Sequence, residues 1–157
     1  MIKLLRVDHR LLHGQVAFSW TQFLGADCIL ISNDAVINDE LRKTTIKLAK
    51  PQGVKVVIKS IDDSIKALNS GVTDKYKLFV VVESINDAEK LIKGTSKFKS
   101  LNLGGIKARE GTKNISKAIN INQDEERILK SLIEDGILIE IRQVPNDNKI
   151  LVNNILD

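Results

Sequence analysis

The chain is poor in cysteine, aromatic residues and histidine. Its single cysteine, Cys28, cannot form an internal disulfide. Cys28 lies in the apolar run Cys28-Ile29-Leu30-Ile31 and reads as a buried strand thiol. Aromatics make up 4% of the residues, and no basic block is interleaved with them, which argues against nucleic-acid binding. Apolar runs such as Leu78-Phe79-Val80-Val81-Val82 are far too short to cross a bilayer. The opening residues lack the apolar core and small-residue cleavage site of a signal peptide, so a cytoplasmic protein with no direct membrane insertion is expected. Also missing are the Gly-x-Gly-x-x-Gly turn of dinucleotide folds and the Gly-x-x-x-x-Gly-Lys-Ser/Thr phosphate loop.

What is present is ordinary for a globular protein. The 157 residues fit one domain with a sizeable core, 43% are hydrophobic and 28% charged. The formal net charge is +4, and the lysines are scattered rather than blocked, which reads as a solvated surface.

Short runs rich in Val, Ile and Leu alternate with helical periodicity. Strands are predicted at 2–7, 27–32, 54–59, 77–82, 100–103, 117–121 and 137–142, and the tail at 149–155 is a candidate for one more. Most of these runs are apolar on both faces, as in a parallel sheet covered on both sides. The first helix should bury Val16, Trp20, Phe23 and Leu24. A second should start at an Asn38 cap and end at Lys50, before Pro51. Ser60 opens a third, which buries Ile61, Ile65 and Leu68 and stops near Gly71. The fourth buries Ile85, Ala88 and Ile92 and ends at Gly94. A fifth runs from about Gln123 to Asp135, closed by Gly136. The predicted fold is α/β: an open, mostly parallel, doubly wound sheet of about six to seven strands with helices on both faces. Segment 104–116 is polar, holds three glycines and reads as an irregular loop.

Both histidines of the chain fall in one run, Arg6-Val7-Asp8-His9-Arg10-Leu11-Leu12-His13-Gly14-Gln15-Val16. It joins the first predicted strand to the first helix, at the sheet edge where open α/β folds collect ligands. Free N–H groups at the helix start form an anion site, and Gly14 lets a phosphate approach the backbone. At neutral pH a histidine near its unperturbed pKa has a free nitrogen lone pair. The helix end and Arg10 would keep His13 nucleophilic and would stabilise a phosphoryl group once attached. Asp8 would fix the imidazole tautomer or orient an arginine. From these residues alone three readings stay open: a phosphohistidine, a metal site of Asp8, His9 and His13, and a loop merely braced by polar groups. The metal reading is the weaker chemistry, because an i, i+4 histidine pair chelates on a helix and this helix begins after His13.

The run resembles the signature of the IIB subunit of the mannose–fructose–sorbose class of the bacterial sugar phosphotransferase system. Arg6, Asp8, Arg10, Leu11, His13, Gly14, Gln15 and Val16 match that signature in place. Ser32-Asn33-Asp34, Leu101-Asn102-Leu103-Gly104-Gly105 and Val144-Pro145 are similar to later family features in the same order. The resemblance covers nearly all of 1–157, as one IIB domain. It implies a phosphocarrier: His13 accepts a phosphoryl group from a phospho-IIA partner and passes it to a sugar as the membrane subunits IIC and IID bring it in. It also implies no metal and no organic cofactor, the covalent phosphohistidine being the carrier, and recruitment to the inner face of the membrane by IIC and IID.

On this reading Arg10 stabilises the phosphoryl group, Asp8 orients, and Gly14, Gln15 and Arg6 bind phosphate. Arg6 is equally suited to a structural ion pair. Asp34, Asn102, Gly104 and Gly105 are candidates for the pocket, or for a cap and a tight turn. His9 departs from the family pattern, which is often acidic there, and is expected to point to solvent. The competing reading is a module that senses phosphorylation without passing it on, or that binds a nucleotide.

Overall fold

The computed structural model describes residues 1–156. Strand β1 (Ile2–Asp8) leads through the histidine loop into helix α1 (Gly14–Leu24). Next come β2 (Cys28–Ser32), α2 (Glu40–Leu48), β3 (Lys55–Lys59), α3 (Ile61–Ser70), β4 (Leu78–Val82), α4 (Ile85–Gly94) and β5 (Ser100–Gly105). The chain then makes β6 (Lys113–Ser116), β7 (Ile119–Ile121), α5 (Gln123–Glu134), β8 (Leu138–Ile141) and β9 (Ile150–Leu151). Seven strands form one sheet in the order β3-β2-β4-β1-β5-β8-β9, parallel except for β9, which runs antiparallel on the edge.

The strand alternation sorts side chains onto two cores. On one face Leu5 and Val7 of β1 join Leu30, Val80 and Leu103 beneath α3, α4 and α5. On the other, Leu4 joins Ile29, Ile31, Phe79 and Val81 beneath α1 and α2. Strands β1 and β4 are neighbours whose connections depart in opposite directions, β1 to β2 through α1 and β4 to β5 through α4 on the other face, so the loop after β1 lies at a switch point.

The ribbon of β6 and β7 corrects the predicted layout in two places. Segment 104–116 is not irregular throughout: β5 runs on to Gly105, and Lys113–Ser116 folds as a strand. Its partner, within the predicted strand 117–121, pairs with it antiparallel in a separate two-stranded sheet. In helix α1 it is Ala17, Trp20 and Thr21 that are buried, whereas Phe23 is 59% exposed. Asn38 closes a short 3-10 turn, and Asp39 is the residue that caps α2, accepting from the Arg42 backbone N–H at 3.0 Å. The last strand, placed only loosely by the sequence, is the two-residue β9.

Candidate functional site

Beyond the irregularity between Ile2 and Leu4, residues of even number in β1 face helix α1, and this places Leu4, Arg6 and Asp8 in a row. The row starts apolar and ends in an ion pair. The Arg6 guanidinium is buried, with Nη2 donating to Asp8 Oδ2 at 3.1 Å. Its Nη1 donates to Asn102 Oδ1 at 2.9 Å and to the Arg142 carbonyl at 3.1 Å. The guanidinium lies 5.3 Å from the Trp20 ring centroid. Arg6 therefore has its donors committed inside the protein, in the ion-pair position of the two that its sequence allows.

Asn102 and Gly104 serve the same arrangement. Asn102 is the β5 partner of Arg6. Between the Val7–Leu103 and Asp8–Gly105 pairs the register slips, leaving Gly104 as the extra residue of a bulge. A Cβ at Gly104 would overlap the Arg6 guanidinium. Gly105 accepts from the His9 backbone N–H at 3.0 Å. These three residues form the layer beneath the loop, and Gly104 also borders a cleft lined by Arg142 and Gln143. Asp34 is exposed and accepts from the Ile61 backbone N–H at 2.9 Å, a cap on the start of α3 remote in sequence from the loop.

The loop itself is built on Asp8. The Asp8 carbonyl accepts from Leu11 N at 2.9 Å, and Asp8 Oδ1 accepts from Arg10 N at 3.0 Å, as in an Asx turn. Leu11 then takes a left-handed backbone with φ 58°. Its side chain and that of Leu12 are buried in the α1-side core, and this anchoring offsets the backbone strain. Asp8 Oδ2 meets His13 Nε2 at 3.0 Å. An ionised carboxylate only accepts, so Nε2 carries the proton and Nδ1 keeps the lone pair. The His13 side chain is 24% exposed. Arg10 lies alongside with its Nε 3.6 Å from Asp8 Oδ1 and its side chain 48% exposed.

The charges balance in a defined way. Burial pushes the Asp8 carboxyl up, but hydrogen bonds from His13 and the Arg10 backbone, with the charge of Arg6, more than reverse it. The Asp8 carboxyl ends below its ordinary value. For Arg6 burial dominates, and the guanidinium pKa is lowered despite the contact with Asp8.

His13 is also the N-cap residue of α1. Asp39, Ser60, Ser84 and Asn122 each cap their helix with a side-chain acceptor, but α1 has none and carries no acid in its first turn. Its leading N–H groups are left for an anion. Gly14 has φ 41° with nothing within 4 Å of where a Cβ would be, and Gln15 is exposed at the same end. Sequence reasoning expected His9 to face solvent. It is instead half-buried, its Nδ1 is enclosed without a hydrogen-bond partner, and it lines a small cleft with Glu83, Lys107 and Arg109. Among the described residues no group of His, Cys, Asp and Glu is disposed to hold a metal ion.

Sequence reasoning read Trp20 as core alone and passed over Arg142. Trp20 donates from Nε1 to the Gln143 carbonyl at 3.0 Å and so ties α1 to the segment after β8, while Arg142 lies 5.5 Å from its ring centroid. Helical spacing marked Trp20 as core, and nothing in the local sequence of 142–143 signalled the contact.

The family model described as PTS system sorbose subfamily IIB component matches residues 2–157. The chain belongs to this family. It is a IIB phosphocarrier of the sugar phosphotransferase system, a phosphotransferase in sugar uptake. Among curated relatives, the sorbose-specific EIIB component of Lacticaseibacillus casei is 34% identical over 94% of this chain and 90% of its own length. The mannose-specific EIIAB component of Escherichia coli K12 is 30% identical over 99% of this chain and 48% of its own length. The crystal structure of the IIBSor domain of the Klebsiella pneumoniae sorbose permease superposes with a TM-score of 0.93 at 28% identity, covering 98% of this chain and 94% of that one. The α/β fold with an open, mostly parallel sheet is thus the fold of the family.

Proposed function

We propose that His13 is the residue that carries the phosphoryl group, through Nδ1. The observation that carries this reading is the Asp8–His13 hydrogen bond: it occupies Nε2 and leaves Nδ1 with its lone pair beside the open N-terminus of α1. The Nδ1 lone pair attacks phosphorus in a phospho-IIA donor, the donor's P–N bond breaks, and the donor imidazole leaves with the electron pair. The helix N–H groups and Arg10 draw charge from the equatorial oxygens in the transition state. In the second transfer a sugar hydroxyl oxygen attacks phosphorus, the bond to Nδ1 breaks, and the hydroxyl proton is lost to a base. Asp8 holds the ring through both steps. Arg6 keeps Asp8 ionised and placed, and so acts through it rather than on the phosphate; Gly14 and Gln15 stand where the phosphoryl oxygens would lie.

The partners follow from the same reading: a IIA protein or domain as donor, and the membrane subunits IIC and IID, which hold and select the sugar at the inner face of the cell membrane. Among the described residues no helix is long and apolar enough to cross a membrane. The mannose-specific relative is named EIIAB, which accords with a IIA donor.

The test is phosphoryl transfer from phosphoenolpyruvate through the general phosphotransferase proteins and a mannose-class IIA, with the product mapped by mass spectrometry at alkaline pH. An acid-labile phosphate on His13, lost in His13→Ala and kept in His9→Ala, is the expected result. Labelling that survives the loss of His13 would overturn the assignment.

A further inference from the structure

At the start of β2, β3 and β4 the sheet is incompletely covered on the α3 side. Strand β3 is an edge strand, and its alternation puts Lys55, Val57 and Lys59 on that side while Val56 and Ile58 join the opposite core. A cleft of about 280 Å³ opens there, with Cys28, Leu30, Val57 and Leu78 as its apolar floor. Its rim holds Lys55, Lys59, Lys75 and Tyr76. The Lys55 and Lys75 ammonium groups lie 5.4 Å and 5.2 Å from the Tyr76 ring centroid, and Lys55 donates to the Tyr76 hydroxyl at 3.2 Å.

Among the described residues the rim lysines form no ion pair, although the Asp27 carboxylate lies near Cys28. Lysine ion pairs elsewhere engage Lys43, Lys93, Lys97, Lys113 and Lys130. Among the described residues no carboxylate pairs with Lys55, Lys59 or Lys75. Lysines on an edge strand guard against strand addition, and Lys55 and Lys59 serve that end. Lys75 lies off the strand, in the turn after α3, and edge protection does not account for it or for the open apolar floor.

We propose that this cleft binds a free amphiphilic carboxylate. The head group meets Lys55 and Lys75 beside Tyr76, and the apolar body runs along β3 toward Lys59. The strand spans ~13 Å between these lysines at about 3.3 Å per residue, room for one chain of medium length. The volume lies near the ~300 Å³ lower end of ligand cavities, which selects a single short chain over a two-chain lipid.

The amino-acid composition supplies a clean test. The only tyrosine and the only cysteine are in this cleft, and both histidines are in the loop at the other end of β1. Decanoate is titrated into the full chain while the Tyr76 ring and both imidazoles are followed by NMR. The expected result is a saturable shift of Tyr76 with the histidines unmoved. Binding should be at least tenfold weaker for 1-decanol, and at least tenfold weaker for decanoate with the Lys55→Glu/Lys75→Glu variant. Both lysines are exposed, so that variant should keep the native spectrum elsewhere. Absence of a saturable Tyr76 shift, or equal binding of decanoate by the charge-reversed variant, would overturn the proposal. So would a Tyr76 shift produced by phosphatidylglycerol vesicles and not by decanoate, which would make the occupant a membrane surface. None of these readouts involves phosphoryl transfer, so the outcome is independent of the role of His13.

Discussion

Asp8 has no solvent exposure and yet accepts from Arg6, His13 and the Arg10 backbone. Its folded-state pKa is depressed, so ionisation stabilises the fold. That contribution is complete above the ordinary carboxylate value of about 3.9 and disappears as pH falls through the lower folded-state value. Asp8→Asn should cost about 3–5 kcal/mol at neutral pH, because it leaves Arg6 buried and unpaired. Urea midpoints from pH 7 downward should show the gap between the two proteins closing toward acid. Phosphoryl transfer to the variant should slow as well, since the amide no longer fixes the His13 tautomer. Gly104→Ala is a separate probe of the same pair. Its methyl would enter the space of the Arg6 guanidinium, and thermal unfolding should report a loss of about 1–3 kcal/mol. At this scale the sequence was informative about type and uninformative about place. Asp8, Arg10 and His13 announce their chemistry because they share one loop. Arg6 does not, because a buried cation and a phosphate-binding cation look alike until Asn102 and the Arg142 carbonyl, 96 and 136 residues away in sequence, are seen to hold it.

Among the described residues four α-helices of five are capped by a side chain of the N-cap residue, and the exception opens onto the proposed phosphoryl site. The two kinds of helix start should therefore respond differently. In α5 the Asn122 side chain accepts from Glu125 N while Glu125 reaches back to Asn122 N. Asn122→Ala should cost about 1 kcal/mol in chemical denaturation and leave phosphoryl transfer untouched. Gly14→Ala meets no neighbour and acts only through its left-handed backbone, again at about 1 kcal/mol, and here transfer should slow too. Gly14→Asn should recover part of both losses, because asparagine tolerates that conformation. Element boundaries read well from the sequence where a helical pattern met a cap or a closing glycine, as at Ser60 for α3 and at Gly136 after α5. They read poorly where a strand is polar. Lys113–Ser116 carries a single apolar residue and folds through its pairing with Ile119–Ile121, a contact that periodicity within the segment cannot reveal.

The sheet is one layer with a core on each side, and β1, β2 and β4 contribute to both. Leu30 and Ile29 are neighbours in β2 yet belong to opposite cores. Each truncated to alanine should cost about 2–5 kcal/mol. Because the strands are shared, neither variant should melt one face alone, and calorimetric and van't Hoff enthalpies should agree in both. The parallel arrangement was legible because most of its strands are apolar on both faces; the antiparallel edge β9, two exposed residues after a polar turn, was not. The single tryptophan spans this architecture, with Arg6 against its ring and its indole N–H on the segment after β8. A phosphoryl group on His13 would pull on the Asp8–Arg6 pair, and through it would change the electric field at the indole. The emission colour of the unlabelled protein should then shift on phosphorylation and return when the group is passed on. The carrier would thus display its own loading state as light, and each half of the relay could be timed in a stopped-flow cuvette without a dye, a radiolabel or a quench.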